Sequence, residues 1–168
     1  MTVAKLEKAA VEIGANRREI ADKIENFMMT DMLLFWGTEK DLVVRQEKLW
    51  GPILEWAKQV FETDFVKTHG LDVPEQDEKS GEKLRSFINN LSDRELAAFY
   101  LAALNMRSVL LAAALVKGRI SAEEAFRAAY LEELWQAENW GADEEAEKKR
   151  GELRRELIDI EKFLKEKK

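Results

Sequence analysis

SDRELAAFYLAALNMRSVLLAAALVK, Ser92 to Lys117, is the stretch on which the fold turns. Ser92 and Glu95 have the spacing of a capping box, in which a hydroxyl and a carboxylate satisfy amide hydrogens that a first helical turn leaves free. Gly118 stands just past the other end, where a helix commonly closes on a left-handed residue. The spacing predicts one helix over 92–117. Leu96 to Val116 is almost wholly apolar and rich in alanine, whereas a surface helix carries a single apolar stripe. Asn105, Arg107 and Ser108 interrupt the run, which therefore lacks the roughly 18 unbroken apolar residues of a membrane span. No membrane insertion is expected. In water such a helix needs neighbours on most sides, and its alanines let them come close. The expected fold is all-α, an orthogonal helical bundle around a central buried helix at about 92–117, with little or no β structure.

The flanking segments agree with this. Ser121 and Glu124 repeat the capping box and open a helix predicted over Ala122 to Trp140, with Gly141 as its stop. A charged helix follows through the tail, Ala142 to Lys168, with Ala146, Leu153, Leu157, Ile160 and Leu164 as its seam. Toward the N-terminus, Glu82 to Asn90 reads as a short helix. FVKTHGLDV and the polar PEQDEKSGE before it form the one region where extended structure or disorder is allowed. Gly51-Pro52 breaks and restarts a helix, because proline suits a first helical turn. Thr38 with Asp41 is the expected N-cap of the helix before that break. Arg17 to about Trp36, capped by Asn16, and Val3 to Ile13, stopped at Gly14, complete the set. Frequent glycine breaks favour an irregular bundle over a coiled coil.

Composition narrows function. With 168 residues the chain is long enough for one buried core. A net charge of −6 argues against a general nucleic-acid binder, which needs a basic footprint. Cysteine is absent, which removes thiolate nucleophiles and cysteine metal sites. The first residues lack the apolar core of a signal peptide, so no targeting segment is read in this chain. The single histidine, His69, has no nucleophile or carboxylate at motif spacing and reads as an exposed loop residue. There is no Gly-rich phosphate loop and no His-carboxylate metal cluster. No enzyme activity, cofactor or metal is expected.

YLEELWQAENWG, Tyr130 to Gly141, is the most informative local signal. On a helical wheel Glu133 falls with Phe126, Tyr130, Ala137 and Trp140. A carboxylate on an aromatic stripe costs desolvation unless it is paired. Either Glu133 bonds Arg107 or a helix N-terminus within the fold, or it borders a groove that receives another protein's polar group. Both can hold. Trp135 points to another side with Ala128 and Leu131, which places it in the core.

Four segments together resemble a known family. These are TDMLLFW (Thr30 to Trp36), QEKLWGPILEWA (Gln46 to Ala57), RSVLLAAALVKGRISAEEA (Arg107 to Ala125) and YLEELWQAENWGADEEAEKKR (Tyr130 to Arg150). In order and spacing they are similar to the assembly chaperones of the mitochondrial and α-proteobacterial F-type ATP synthase that bind the unassembled α subunit. The resemblance implies a β-rich N-terminal part followed by a helical bundle. The matching segments begin where the bundle begins, so residues 1–168 are expected to form a single helical domain without the β-rich part. Gly51 stands where the family has Asp, and Leu34-Phe35-Trp36 where it has Cys-Tyr-Arg.

The resemblance further implies a binding protein for the ATP synthase α subunit, expected as a monomer, in the mitochondrial matrix or α-proteobacterial cytoplasm. Glu133, Gln136 and Trp140 are carried over as its client-binding edge. Asp143 and its acidic neighbours would steer basic patches of the client. The competing reading is a diverged or engineered scaffold that keeps the bundle and has lost the client site.

Overall fold

The computed structural model describes residues 3–166. Its helices are α1 (Val3–Ala15), α2 (Arg17–Met29), α3 (Lys40–Leu49), α4 (Gly51–Phe61), α5 (Lys79–Asn89), α6 (Asp93–Met106), α7 (Val109–Val116), α8 (Ala122–Ala129), α9 (Leu131–Trp140) and α10 (Glu144–Lys165). A short 3-10 turn spans Met32–Leu34. Among the described residues the only β pairing is an isolated parallel bridge between Phe35 and Thr68; Thr68 lies in the region where extended structure was allowed, whereas Phe35 lies in a stretch expected to be helical. The all-α expectation holds.

The predicted centre is central. Every residue from Val109 to Leu115 is buried. Helix α7 is packed by α2, α4, α6, α8 and α10, and α6 by α1, α2, α7 and α10. Alanines at 97, 98, 102, 103, 112, 113 and 114 are buried without remaining accessible surface. A methyl group is the largest side chain that leaves helix axes this close, which is why so short a helix as α7 can hold five neighbours. Both capping boxes form: Ser92 and Ser121 hydroxyls accept the amides of Glu95 and Glu124, whose carboxylates accept the amides of the two serines.

The single helix expected over 92–117 is, however, two helices. Arg107 takes a left-handed conformation (φ 58°, ψ 30°), and Ser108 is extended (φ −146°, ψ 117°). The cause lies far away in sequence. Asp31 is fully buried beside the break. Its Oδ1 accepts the Ser108 hydroxyl at 2.7 Å and the Leu33 amide at 3.0 Å, and its Oδ2 accepts the Leu110 amide at 2.9 Å. The Ser108 hydroxyl in turn accepts the Leu111 amide at 3.0 Å. The first-turn donors of α7 are thus met by side chains, and the negative carboxylate sits at the positive end of the helix. These bonds offset the left-handed residue, which costs about 1–2 kcal/mol for a non-glycine.

Three other boundaries, and the seam of α10, differ from expectation. The helix predicted to run to Trp36 stops at Met29, because Asp31 must turn inward to reach Ser108. The helix predicted over Ala122 to Trp140 breaks at Tyr130, whose phenol is drawn inward to donate to Asn105, 2.5 Å from its carbonyl and 3.0 Å from its Oδ1. Glu39, not Thr38, occupies the cap position of α3. Asp41 instead accepts the Trp135 indole N–H at 2.9 Å. The seam of α10 includes Phe163 and the nearly buried Arg150 besides Leu157 and Ile160, while Ala146, Leu153 and Leu164 are only partly covered. The Gly51-Pro52 restart holds. Trp50 at the junction is buried and donates its indole N–H to the Ala128 carbonyl at 2.7 Å, which ties the α3–α4 corner to α8.

Candidate protein-binding face

Helix α9 has one inward and one outward side. Leu131 and Trp135 are buried. The Trp135 indole is fixed by Asp41 and meets the Trp140 ring edge-on at 5.3 Å. The inward placement of Trp135 follows the sequence reading. A second tie between α3 and α9 is the two-pronged pair of Arg45 with Glu138, at 2.6 and 3.2 Å. Its hydrogen bonds hold the Glu138 carboxyl below the usual carboxylate range. The pair is exposed, so its worth is in orienting α9 more than in stability.

Glu133, Gln136 and Trp140 follow at intervals of three and four residues, which sets them along one side of the helix. Trp140 is 73% exposed despite its contact with Trp135. Gln136 is exposed. Glu133 is half-exposed and lies 3.6 Å from the Arg107 guanidinium and 3.5 Å from that of Arg150. The expected pairing with Arg107 is therefore present, but at distances too long for strong hydrogen bonds. Arg150 is itself almost buried, with 10% of its side chain exposed, so Glu133 also serves as counter-ion to a cation that has little water. Asp143 lies past the turn at Gly141 (φ 90°), at the cap position of α10, and makes no side-chain cap bond.

Two grooves flank the Arg107–Glu133 pair. One, of about 530 Å³, has Phe27, Met32 and Phe35 as its apolar wall, with Gln136 and Glu132 on its rim. The other, of about 440 Å³, lies between the end of α6 and α10, walled by Leu104, Tyr130 and Leu153, with Lys149 and Arg150 beside them. Burial pushes the Tyr130 phenol up to about 12, which keeps it a neutral donor to Asn105. The structure brings Glu133 and Gln136 to the first groove. Trp140 stands a turn further along α9, and Asp143 lines neither groove. Phe27, Met32 and Phe35 were not singled out from the sequence as binding residues. The signal was present in MMTDMLLFW, an apolar run too broad for one helical stripe. Its surplus is what the end of α2 and the 3-10 turn leave half-covered in the groove wall.

The fold is an all-α orthogonal bundle with an open face along α9. The crystal structure of Atp12 from Paracoccus denitrificans matches with a TM-score of 0.88 at 28% identity, over 95% of this chain and 70% of that one. The Atu1473 protein of Agrobacterium tumefaciens matches with a TM-score of 0.80 at 32% identity, over 92% of this chain and 58% of that one. Residues 1–58 match the family described as ATP12 chaperone protein. The mitochondrial protein atp12 of Schizosaccharomyces pombe is 24% identical over 161 residues, covering 87% of this chain and 54% of that protein. The chain is thus similar to the ATP12 chaperones, the family that its four motif segments resemble. It spans about half the length of the curated relative it matches.

Proposed function

We propose that the chain is a chaperone-type binding domain that shields the ATP synthase α subunit before the catalytic head is assembled. The observation that carries this reading is the outer side of α9. Glu133 and Gln136 line an apolar groove, and a tryptophan 73% exposed continues their side of the helix one turn further on. An isolated exposed leucine is ordinary, but a largely exposed tryptophan in line with residues that rim an open apolar groove has the composition of an interface. A subunit awaiting its partners exposes apolar surface, and a reversible cover over it blocks wrong contacts. The work asks for no bond-making chemistry. Relatives from a mitochondrion and from Paracoccus support a mitochondrial matrix or α-proteobacterial cytoplasmic setting.

The test is light scattering of purified α subunit on warming, with and without the chain. Protection at near-equimolar ratio is expected, and Trp140→Ala with Gln136→Lys should weaken it about tenfold while the melting temperature stays put. A folded, monodisperse chain that leaves aggregation unaltered across a wide excess would instead assign the scaffold reading.

A further inference from the structure

Away from α9, cations gather around the turn that joins α7 to α8. The chain carries a net charge of −6, and its arginines elsewhere are largely paired: Arg17 with Asp93, Arg45 with Glu138, Arg85 with Asp22 and Glu25, Arg154 with Glu123. Arg119 and Arg127 are exposed and close no ion pair among the described residues, and the same is true of Lys48. All three line one cleft of about 200 Å³, whose floor is Leu49, Pro52 and Ile53. A second cleft of about 460 Å³ adjoins it and shares Arg119, Ile120 and Glu124. Lys117 and Lys165 add their charges there, over Leu115 and Leu164.

Two carboxylates lie in this region, and both already hold backbone amides of the α8 start. Glu124 accepts the Ser121 amide at 3.0 Å and Glu161 the Ala122 amide at 2.8 Å. Glu161 also pairs with Lys165 at 3.9 Å, so Lys48, Lys117, Arg119 and Arg127 are left facing Glu124, whose position is set by capping α8 and whose carboxyl Arg119 and Arg127 help to hold down. The surplus is local, on a protein that is acidic as a whole, and it lies over two apolar-floored clefts set side by side. That arrangement is complementary to an extended chain that alternates acidic and apolar side chains. A flat lipid surface would not enter the clefts. No aromatic side chain lines either of them, which removes the stacking platform that single-stranded nucleic acid uses.

We infer that the paired clefts at the α7–α8 turn form a second docking site, for an acidic, apolar-alternating segment of a partner protein, centred on Arg119 and Arg127. It shares no residue with the α9 face. The probe is a fluorescein-labelled octapeptide of alternating leucine and glutamate, titrated with the full chain and followed by anisotropy at low and at physiological salt. Saturable binding that weakens with salt is expected. Arg119→Glu with Arg127→Glu should weaken it at least tenfold, and the milder Arg119→Gln with Arg127→Gln should weaken it measurably if the reversal disturbs folding. Arg18→Glu with Arg155→Glu, which changes two arginines that line neither cleft, should leave it unchanged. Absence of saturable binding, equal loss in the control pair, or equal binding of a leucine–glutamine peptide would each overturn the inference. Capture by phosphatidylserine vesicles that depends on Arg119 while the peptide fails to bind would overturn it in favour of a membrane. No α subunit enters the assay, so its outcome is separate from that of the α9 proposal.

Discussion

Asp31→Asn tests the account of the break in the central segment. Asp31 is fully buried, and burial raises its carboxyl from 3.8 to about 6 although the Leu110, Leu33 and Ser108 donors all pull it down. The group therefore binds its proton more tightly in the folded chain than in the unfolded one. Its contribution to stability is fully present below about 3.8 and is lost as pH rises through about 6. The gap corresponds to about 3 kcal/mol. The raw stability profile mixes this with groups of opposite sign, because Glu62, Glu124 and Glu138 have lowered carboxyls that stabilise above the ordinary carboxylate range. Asparagine keeps the shape and stays neutral, so the difference between wild type and variant isolates Asp31. Its amide would also turn an N–H toward the Leu110 amide that Oδ2 now accepts, a cost of about 1–3 kcal/mol at any pH. Urea unfolding followed by tryptophan fluorescence from pH 4 to 7.5 is the assay. Wild type should exceed the variant most at pH 4, and its advantage should shrink by about 2 kcal/mol by pH 7. A gap that stays flat or widens with pH would refute the reasoning, since the three donors would then outweigh burial. Asp31→Ala is the control. It leaves all three donors without an acceptor and should be destabilised throughout the range, by about 3–5 kcal/mol.

Other outcomes follow from single contacts. Trp50→Phe leaves the buried Ala128 carbonyl without its 2.7 Å donor; chemical denaturation should register a loss of about 1–3 kcal/mol. Arg107→Gly removes the left-handed strain at φ 58° and gives up only a 3.6 Å ion pair; thermal melts should show an unchanged or slightly higher midpoint, and a fall of several degrees would count against strain there. Glu133→Lys sets a third cation beside Arg107 and the nearly buried Arg150; it should lower stability by about 1–2 kcal/mol, whereas Trp140→Ala, at a position 73% exposed, should change it by less than about 0.5 kcal/mol.

The consequence for mutational work on the α9 face is practical. On the proposed client binding, Glu133, tied to Arg150, would mix folding with binding, while the outward Gln136 and Trp140 would report binding. Asp143, on the far side of the Gly141 turn, lies outside the grooves, and any steering role for it acts through charge at a distance.

Much could be read from the chain alone wherever the deciding interaction was local. The capping boxes at Ser92 and Ser121 each lie within four residues, and both form as spaced. Most of Leu96 to Val116 had nowhere to go but the centre, because a nearly all-round apolar helix in water has little face to leave wet; Leu104, 46% exposed, is the apolar exception. The inward turn of Trp135 followed from helical phase. What tertiary structure decided was where that centre breaks and which surfaces stay open. Ser108 looked like an interruption in a helix and is a helix start, since the carboxylate that completes it belongs to a residue 77 positions away. Tyr130 splits its helix for the sake of Asn105, 25 positions back. The grooves beside Glu133 and around Arg119 exist only where separate helices meet without filling the space between them. Local spacing sets the energy of a turn or a cap, but a buried carboxylate or an open groove depends on what the rest of the fold brings to it, and periodicity carries no record of that.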